Sequence, residues 1–147
     1  MANKQIKNKK RVKERGEVFT NEREVKAMCD LIPKEIWEDI TKTYLEPSCG
    51  TGNFLVEIYA RKLNYCSDDV RTGLKALNSI YGIDIMQDNV EESRQRLFNM
   101  FVEKYPQSNN YAKMFAKNIL KRNIICGDSL KIMKNLETLK WEDSTLS

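Results

Sequence analysis

The chain has 147 residues, 41% of them hydrophobic and 31% charged, which is enough apolar material for one core and too much for a wholly disordered polypeptide. No apolar run approaches the ~18 residues that a transmembrane helix needs. The lack of histidine excludes Cys/His zinc fingers and histidine-based catalytic triads. The formal net charge is +4, and four cysteines without a C-x-x-C pair favour free thiols in a reducing cytoplasm.

Positive charge is concentrated at the N-terminus. Residues 1–15 hold seven basic residues and one glutamate, whereas the other 132 residues carry a balance of −2. No apolar stretch follows, so this segment does not resemble a secretory signal. We predict a basic, disordered tail over 1–15 and one domain over 16–147. Such a tail could contact nucleic-acid phosphates, and a merely solvated terminus is the alternative.

Apolar spacing predicts seven helices and three strands after the tail. In chain order they are a helix capped by Asn21 and Glu24, a short helix around Trp37, strand 43–46, helix 53–63, a helix capped by Asp68 or Asp69, strand 80–85, helix 88–104, helix 111–119, strand 123–126 and a last helix over 130–136. Apolar strands that alternate with helices indicate an α/β fold with a parallel sheet covered on both faces. Right-handed crossovers would make this sheet doubly wound.

Ligands of such sheets bind at the carboxyl ends of the strands. A small-residue loop, 48–52, follows the first strand and carries Gly50 and Gly52. Two glycines with one residue between them let the backbone turn sharply and approach a ligand closely. The helix that begins at Asn53 would point its free N–H groups at the same place, which suits an anionic group. An ordinary strand-to-helix turn is the alternative.

An acidic residue follows each of the next two strands. Asp84 could accept hydrogen bonds from a ribose diol, or it could cap the next helix, a role that Asp88 could also fill. Asp128 could accept a hydrogen bond from a purine amine, but taken alone it is better interpreted as a helix N-cap. With the glycine loop, the two acids describe a site for an adenosine-containing ligand. Leu55 stands where NAD-binding loops have a third glycine, so NAD is disfavoured.

Four segments resemble DNA adenine-N6 methyltransferases. Residues 45–55 (LEPSCGTGNFL) resemble the S-adenosylmethionine-binding motif of that family, and residues 16–20 (GEVFT) resemble its phenylalanine-threonine motif. Residues 82–85 (GIDI) and 127–130 (GDSL) match the next two motifs in order and spacing. The resemblance covers roughly residues 11 to 140 and implies a Rossmann-like sheet of the class I methyltransferase type. The motif order is similar to that of the modification subunits and fused enzymes of restriction systems.

The resemblance also implies roles for individual residues toward the cofactor. Carried over position by position, Phe19 and Thr20 would contact the methionine part of the cofactor, and the loop beneath it would be shaped by Glu46, Cys49 and Gly50. Asn53 and Phe54 would lie at the start of the helix, and Asp84 would bind the ribose hydroxyls. Adenine would pack against Ile85, with Asp128 at its amine and Leu130 on its ring face. Simpler interpretations are a hydrophobic staple for Phe19 and plain core positions for Ile85 and Leu130.

One part of the family pattern is missing. The catalytic motif, Asn-Pro-Pro-Tyr or a close variant, needs adjacent prolines, and Pro33, Pro47 and Pro106 stand apart. We therefore expect a domain that is truncated before this motif, with no catalytic residue and no turnover by this chain alone. In the family's sheet order the first strand lies between the second and the fourth. Strand 43–46 should thus be an open edge, which favours self-association or a second chain carrying the remainder.

The sequence leads to two hypotheses. The first is the S-adenosylmethionine-binding portion of a site-specific, cytoplasmic DNA adenine-N6 methyltransferase, with DNA as its macromolecular substrate. The alternative is a non-catalytic protein that keeps the fold, binds the cofactor or DNA, and acts through a partner chain.

Overall fold

The computed structural model describes residues 20–135. The predictions made for the basic tail, for Phe19 and for the end of the last helix lie outside these residues. The elements are α1 (Glu22–Cys29), α2 (Lys34–Glu38), β1 (Tyr44–Glu46), α3 (Asn53–Leu63), α4 (Val70–Asn78), β2 (Ile80–Asp84), α5 (Gln87–Lys104), α6 (Asn110–Asn123) and β3 (Ile124–Cys126). Residues 129–135 are also helical. The predicted order of helices and strands is confirmed over this range.

The three strands form one parallel sheet in the order β1-β2-β3. Glu46 of β1 lies opposite Gly82 of β2, and Gly82 lies opposite Ile124 of β3. The fold is therefore α/β, and it is compatible with part of a Rossmann-like sheet. Within residues 20–135, β1 pairs only with β2, so the expected open edge is present there. No helix in this range is long and apolar enough to cross a membrane.

Local capping explains where several helices begin. The Asn21 side chain accepts a hydrogen bond from the Glu24 N–H at 2.9 Å, as the sequence predicts. Asp69, not Asp68, caps α4. The prediction that Asp88 caps the next helix is wrong: α5 begins at Gln87, and Met86 is its N-cap residue.

The main core lies between the sheet and its helices. α3 buries Leu55, Ile58 and Tyr59 completely. The same face also buries Lys62, whose ammonium group donates to the carbonyl oxygens of Ile40 at 3.2 Å and Lys42 at 2.7 Å. Burial lowers the pKa of Lys62, partly offset by the negative charge of Asp39. A buried lysine therefore ties the turn before β1 to the body of the fold.

The apolar stripe that predicts α6 points largely away from the core. Tyr111, Met114 and Phe115 are 80%, 57% and 64% exposed. The helix instead buries Ala116, Ile119, Leu120 and Asn123. The helix itself is confirmed, but its packing face is displaced toward its C-terminal half.

Candidate functional site

The loop between β1 and α3 has the conformation that its glycines permit. Gly50 and Gly52 have φ angles of 54° and 95°, in the left-handed region that disfavours side chains. Gly52 is also the N-cap residue of α3, and no side chain among the described residues caps that helix. Within residues 20–135, the N–H groups of the first turn of α3 thus have no side-chain acceptor, and the positive end of the helix lies at the loop.

Asp84 holds this loop to the end of β2. One carboxylate oxygen accepts the Gly50 N–H at 2.9 Å, and the other accepts the Met86 N–H at 2.8 Å and the Asn89 side-chain amide at 3.1 Å. The Asp84 residue is only 6% exposed. A carboxylate has about four lone-pair positions, so the three donors found among the described residues leave room for one more.

Helix α5 holds the loop from the other side. The Ser93 hydroxyl donates to the Gly50 carbonyl at 3.0 Å, and Arg96 donates to the Thr51 carbonyl at 2.8 Å. A Cβ atom on Gly52 would lie 2.9 Å from the Ser93 hydroxyl oxygen, closer than such atoms normally approach. Two separate constraints therefore require glycine at position 52: the positive φ and the close approach of α5.

A small pocket lies where the glycine loop meets the start of α3. Its volume is about 50 Å³. The lining residues are Thr20, Glu46, Ser48, Cys49, Gly50, Thr51, Asn53 and Phe54. All five loop and helix-start residues that the resemblance assigns to the cofactor thus lie around one concavity. Thr20, which is distant from them in sequence, lies there as well.

The ionisable groups in and beside the pocket are strongly perturbed by burial. Burial raises the pKa of Glu46, although the Ser48 N–H and the Tyr44 hydroxyl oppose the shift by hydrogen bonding. Burial and the neighbouring Glu46 charge raise the pKa of Tyr44 to about 12. Burial, with the charge of Asp84, raises the pKa of Cys49 to about 12. Cys49 is therefore a protonated, weakly reactive thiol at neutral pH, which fits a packing role.

The end of β3 lies beside the end of β2. The Gly127 N–H donates to the Asp84 carbonyl at 2.9 Å. The Asp128 carboxylate accepts the N–H groups of Leu130 at 3.0 Å and Lys131 at 3.4 Å. Asp128 thus acts as the N-cap that its own sequence context favours, and its role toward a purine stays a prediction.

Two apolar residues at these strand ends lie at the surface. Ile85 is 61% exposed and Leu130 is 79% exposed. The interpretation of these two residues as core positions is wrong, because β2 ends at Asp84 and nothing among the described residues covers Ile85 or Leu130. Their assigned contacts with adenine stay predictions.

Sequence reasoning missed the three polar residues of α5 that support the loop. Asn89, Ser93 and Arg96 are spaced by four and three residues, which places them on one helix face. Asn89 and Ser93 are 1% and 0% exposed. Buried polar side chains in one helical stripe need hydrogen-bond partners. The four- and three-residue spacing is visible in the sequence, but it lies outside the four motif segments.

A larger cleft lies elsewhere. Its volume is about 410 Å³, and residues at the start of α4 and in the α5–α6 turn line it, including Asp68, Tyr105 and Ser108. None of its lining residues belongs to the glycine loop or to the carboxyl end of a strand. The strand ends are where ligands of open α/β sheets bind, so we favour the smaller pocket as the functional site.

Comparison with known proteins gives one informative match. No profile of a known protein family matches the chain, and no solved structure matches it. Over 81 residues it is 40% identical to the Type II methyltransferase M.VspI of Vibrio sp. (strain 343). That segment is 54% of this chain but 16% of M.VspI. The chain therefore matches only a small part of its relative's length.

Proposed function

We propose that this chain is the S-adenosylmethionine-binding portion of a DNA adenine-N6 methyltransferase of a restriction-modification system. The observation that carries the proposal is the pocket where the glycine loop, the start of α3 and Thr20 meet. It lies at the end of β1, where an α/β sheet binds its ligand. The similarity to a Type II methyltransferase supports the same reaction class.

The residues around the pocket fit such a cofactor. The pocket of about 50 Å³ is far smaller than the ~300 Å³ of an ordinary ligand site, so it suits the amino-acid end alone. The nucleoside would extend past Asp84, which retains about one acceptor position for a ribose hydroxyl. Exposed Ile85 and Leu130 offer apolar surface for the adenine ring.

The chain's own contribution would be to bind and orient. The uncapped end of α3 and the carboxylate of Glu46 offer opposite charges for the two charged groups of an amino acid. The cofactor itself supplies the sulfonium-bound methyl group. Nothing in the sequence supplies the Asn-Pro-Pro-aromatic motif that would orient a target adenine, so we expect no methyl transfer by this chain alone.

We further propose that a second polypeptide, or a second copy of this chain, pairs with the edge of β1. That strand pairs only with β2 among the described residues, and Leu45 on it is 42% exposed. Open apolar edges favour pairing with another strand. Size-exclusion chromatography with light scattering tests this proposal, and a clean, well-folded monomer would contradict it.

Calorimetry on the 147-residue chain tests the cofactor proposal. We expect S-adenosylmethionine and S-adenosylhomocysteine to bind and NAD not to bind. Ile85→Ser should weaken binding of S-adenosylhomocysteine about tenfold, because burying an isoleucine side chain contributes about 1.5–3 kcal/mol. Leu31→Ser is the matched control, since Leu31 is 83% exposed on the segment after α1. Equal affinity in both variants would exclude the assigned adenine contact, and no binding by the unaltered chain would exclude the function.

A methyl-transfer assay separates this function from the non-catalytic alternative. Adenine-containing DNA and labelled S-adenosylmethionine would be incubated with the chain, with and without a partner polypeptide that contains the Asn-Pro-Pro-aromatic motif. Methylation only with the partner present supports the methyltransferase function. Cofactor binding without methylation in either reaction would favour a protein that keeps the site without the reaction.

A further inference from the structure

Arg96 connects two parts of the pocket that are far apart in the sequence. One nitrogen of its guanidinium group donates to the Thr51 carbonyl at 2.8 Å and to the Asn53 side-chain oxygen at 2.9 Å. The Asn53 side-chain nitrogen donates in turn to the Thr20 carbonyl at 2.7 Å. A continuous chain of hydrogen bonds therefore runs from α5 through the start of α3 to the segment before α1.

The cation fixes the orientation of the amide between its two partners. Arginine can only donate, so it must face the oxygen of the Asn53 amide. The amide nitrogen then points to the opposite side, where it meets the Thr20 carbonyl. Without the guanidinium group, the amide would lose the partner that selects this orientation. Thr20, Thr51 and Asn53 all line the pocket.

We infer that Arg96 is a positioning residue that holds Thr20 against the pocket through Asn53 and so sets the affinity for the amino-acid end of the ligand. The inference rests on the proposed function, because it concerns the same site. Arg96 itself does not line the pocket. Its effect must therefore pass through Asn53 and the loop carbonyl that it contacts.

A neighbouring arginine on the same helix provides a matched control. Arg94 also donates to main-chain carbonyl oxygens, those of Ile124 and Lys121. These carbonyls lie at the junction of α6 and β3, outside the pocket. Loss of either arginine removes comparable hydrogen bonds, but only Arg96 is connected to Thr20.

Two ligands separate positioning from general damage. S-adenosylhomocysteine carries the amino-acid end, whereas 5′-methylthioadenosine keeps the nucleoside and lacks that end. Arg96→Gln should weaken S-adenosylhomocysteine binding about tenfold and change 5′-methylthioadenosine binding by less than about twofold. Arg94→Gln should change neither affinity beyond about twofold. Thermal unfolding of each variant checks that it is folded under the binding conditions.

Asn53→Ala provides the second test. If Arg96 acts through Asn53, this variant should show the same selective loss, and the double variant should lose little more than either single one. Equal losses for both ligands, additive losses, or unchanged binding in Arg96→Gln would each overturn the inference while the unaltered chain still binds. Failure of the unaltered chain to bind S-adenosylhomocysteine would instead refute the proposed function, and the inference with it.

Discussion

Replacement of Asp84 by asparagine tests how the glycine loop is held. The carboxylate accepts three hydrogen bonds, one on the oxygen that faces Gly50 and two on the oxygen that faces Met86 and Asn89. An amide keeps one oxygen, so it can serve two of these donors and must turn its NH₂ group toward the Gly50 N–H. The loss of one bond to a buried charged group costs about 1.5–3 kcal/mol of unfolding free energy. Asp84→Ala, which removes the acceptor of all three hydrogen bonds, should cost more.

Urea denaturation measures this loss, and Asp69 provides the control. Asp69 is an exposed N-cap whose side chain accepts the Arg71 N–H, and asparagine caps helices about as well as aspartate. Asp69→Asn also loses an exposed ion pair with Arg71, which contributes little, so its urea midpoint should stay close to that of the unaltered chain. Equal midpoints for Asp84→Asn and Asp69→Asn would refute the reasoning. Because Asp84 also supports the fold, weaker ligand binding by Asp84→Ala would not by itself demonstrate a ribose contact.

Three further predictions concern the same region. Gly52→Ala should lower the unfolding free energy by about 1–3 kcal/mol, because Gly52 has a φ of 95° and the new Cβ would meet Ser93. An unchanged thermal midpoint would contradict this prediction. Iodoacetamide at about pH 8 should label exposed Cys126 well before Cys49, because burial raises the pKa of Cys49 to about 12. Mass spectrometry of the peptides measures the two rates, and equal labelling would contradict the prediction. Burial raises the pKa of Glu46, so the folded chain binds the carboxyl proton of Glu46 more tightly than the unfolded chain does. The unfolding free energy should therefore fall as pH rises through the range just above the ordinary glutamate pKa. Glu46→Gln should flatten that slope in denaturation curves between about pH 4 and 7, and an identical slope would exclude Glu46 as its source.

The sequence predicts those elements that local chemistry determines. The bounds of α3, Asn53–Leu63, agree with the structure because a glycine precedes the helix and an unbroken apolar stripe runs through it. The three strands are short apolar runs between turn residues, and the loop with Gly50 and Gly52 follows from its composition. Each of these features depends on residues close together in the chain.

Features that depend on distant partners could not be predicted in the same way. Asp84 was assigned to a ligand, but most of its accepting capacity serves the protein, including the N–H of a residue 34 positions away. Arg96 lies on a largely polar helix, where an arginine normally indicates a solvated face, and its partner Thr51 is 45 positions away. Ile85 continues an apolar run, yet strand pairing ends one residue earlier.

The buried ammonium group of Lys62 has a consequence for β1, which is only three residues long. In so short a strand, a shift by one residue would exchange the inward and outward side chains at little cost in main-chain pairing. Lys62 holds the Ile40 and Lys42 carbonyls, and the Tyr44 N–H donates to Ser79 just before β2. These attachments favour the observed register of β1, in which Glu46 rather than Leu45 lines the pocket. A lysine near the end of α3 thereby helps to determine which side chain of β1 lies beside the glycine loop.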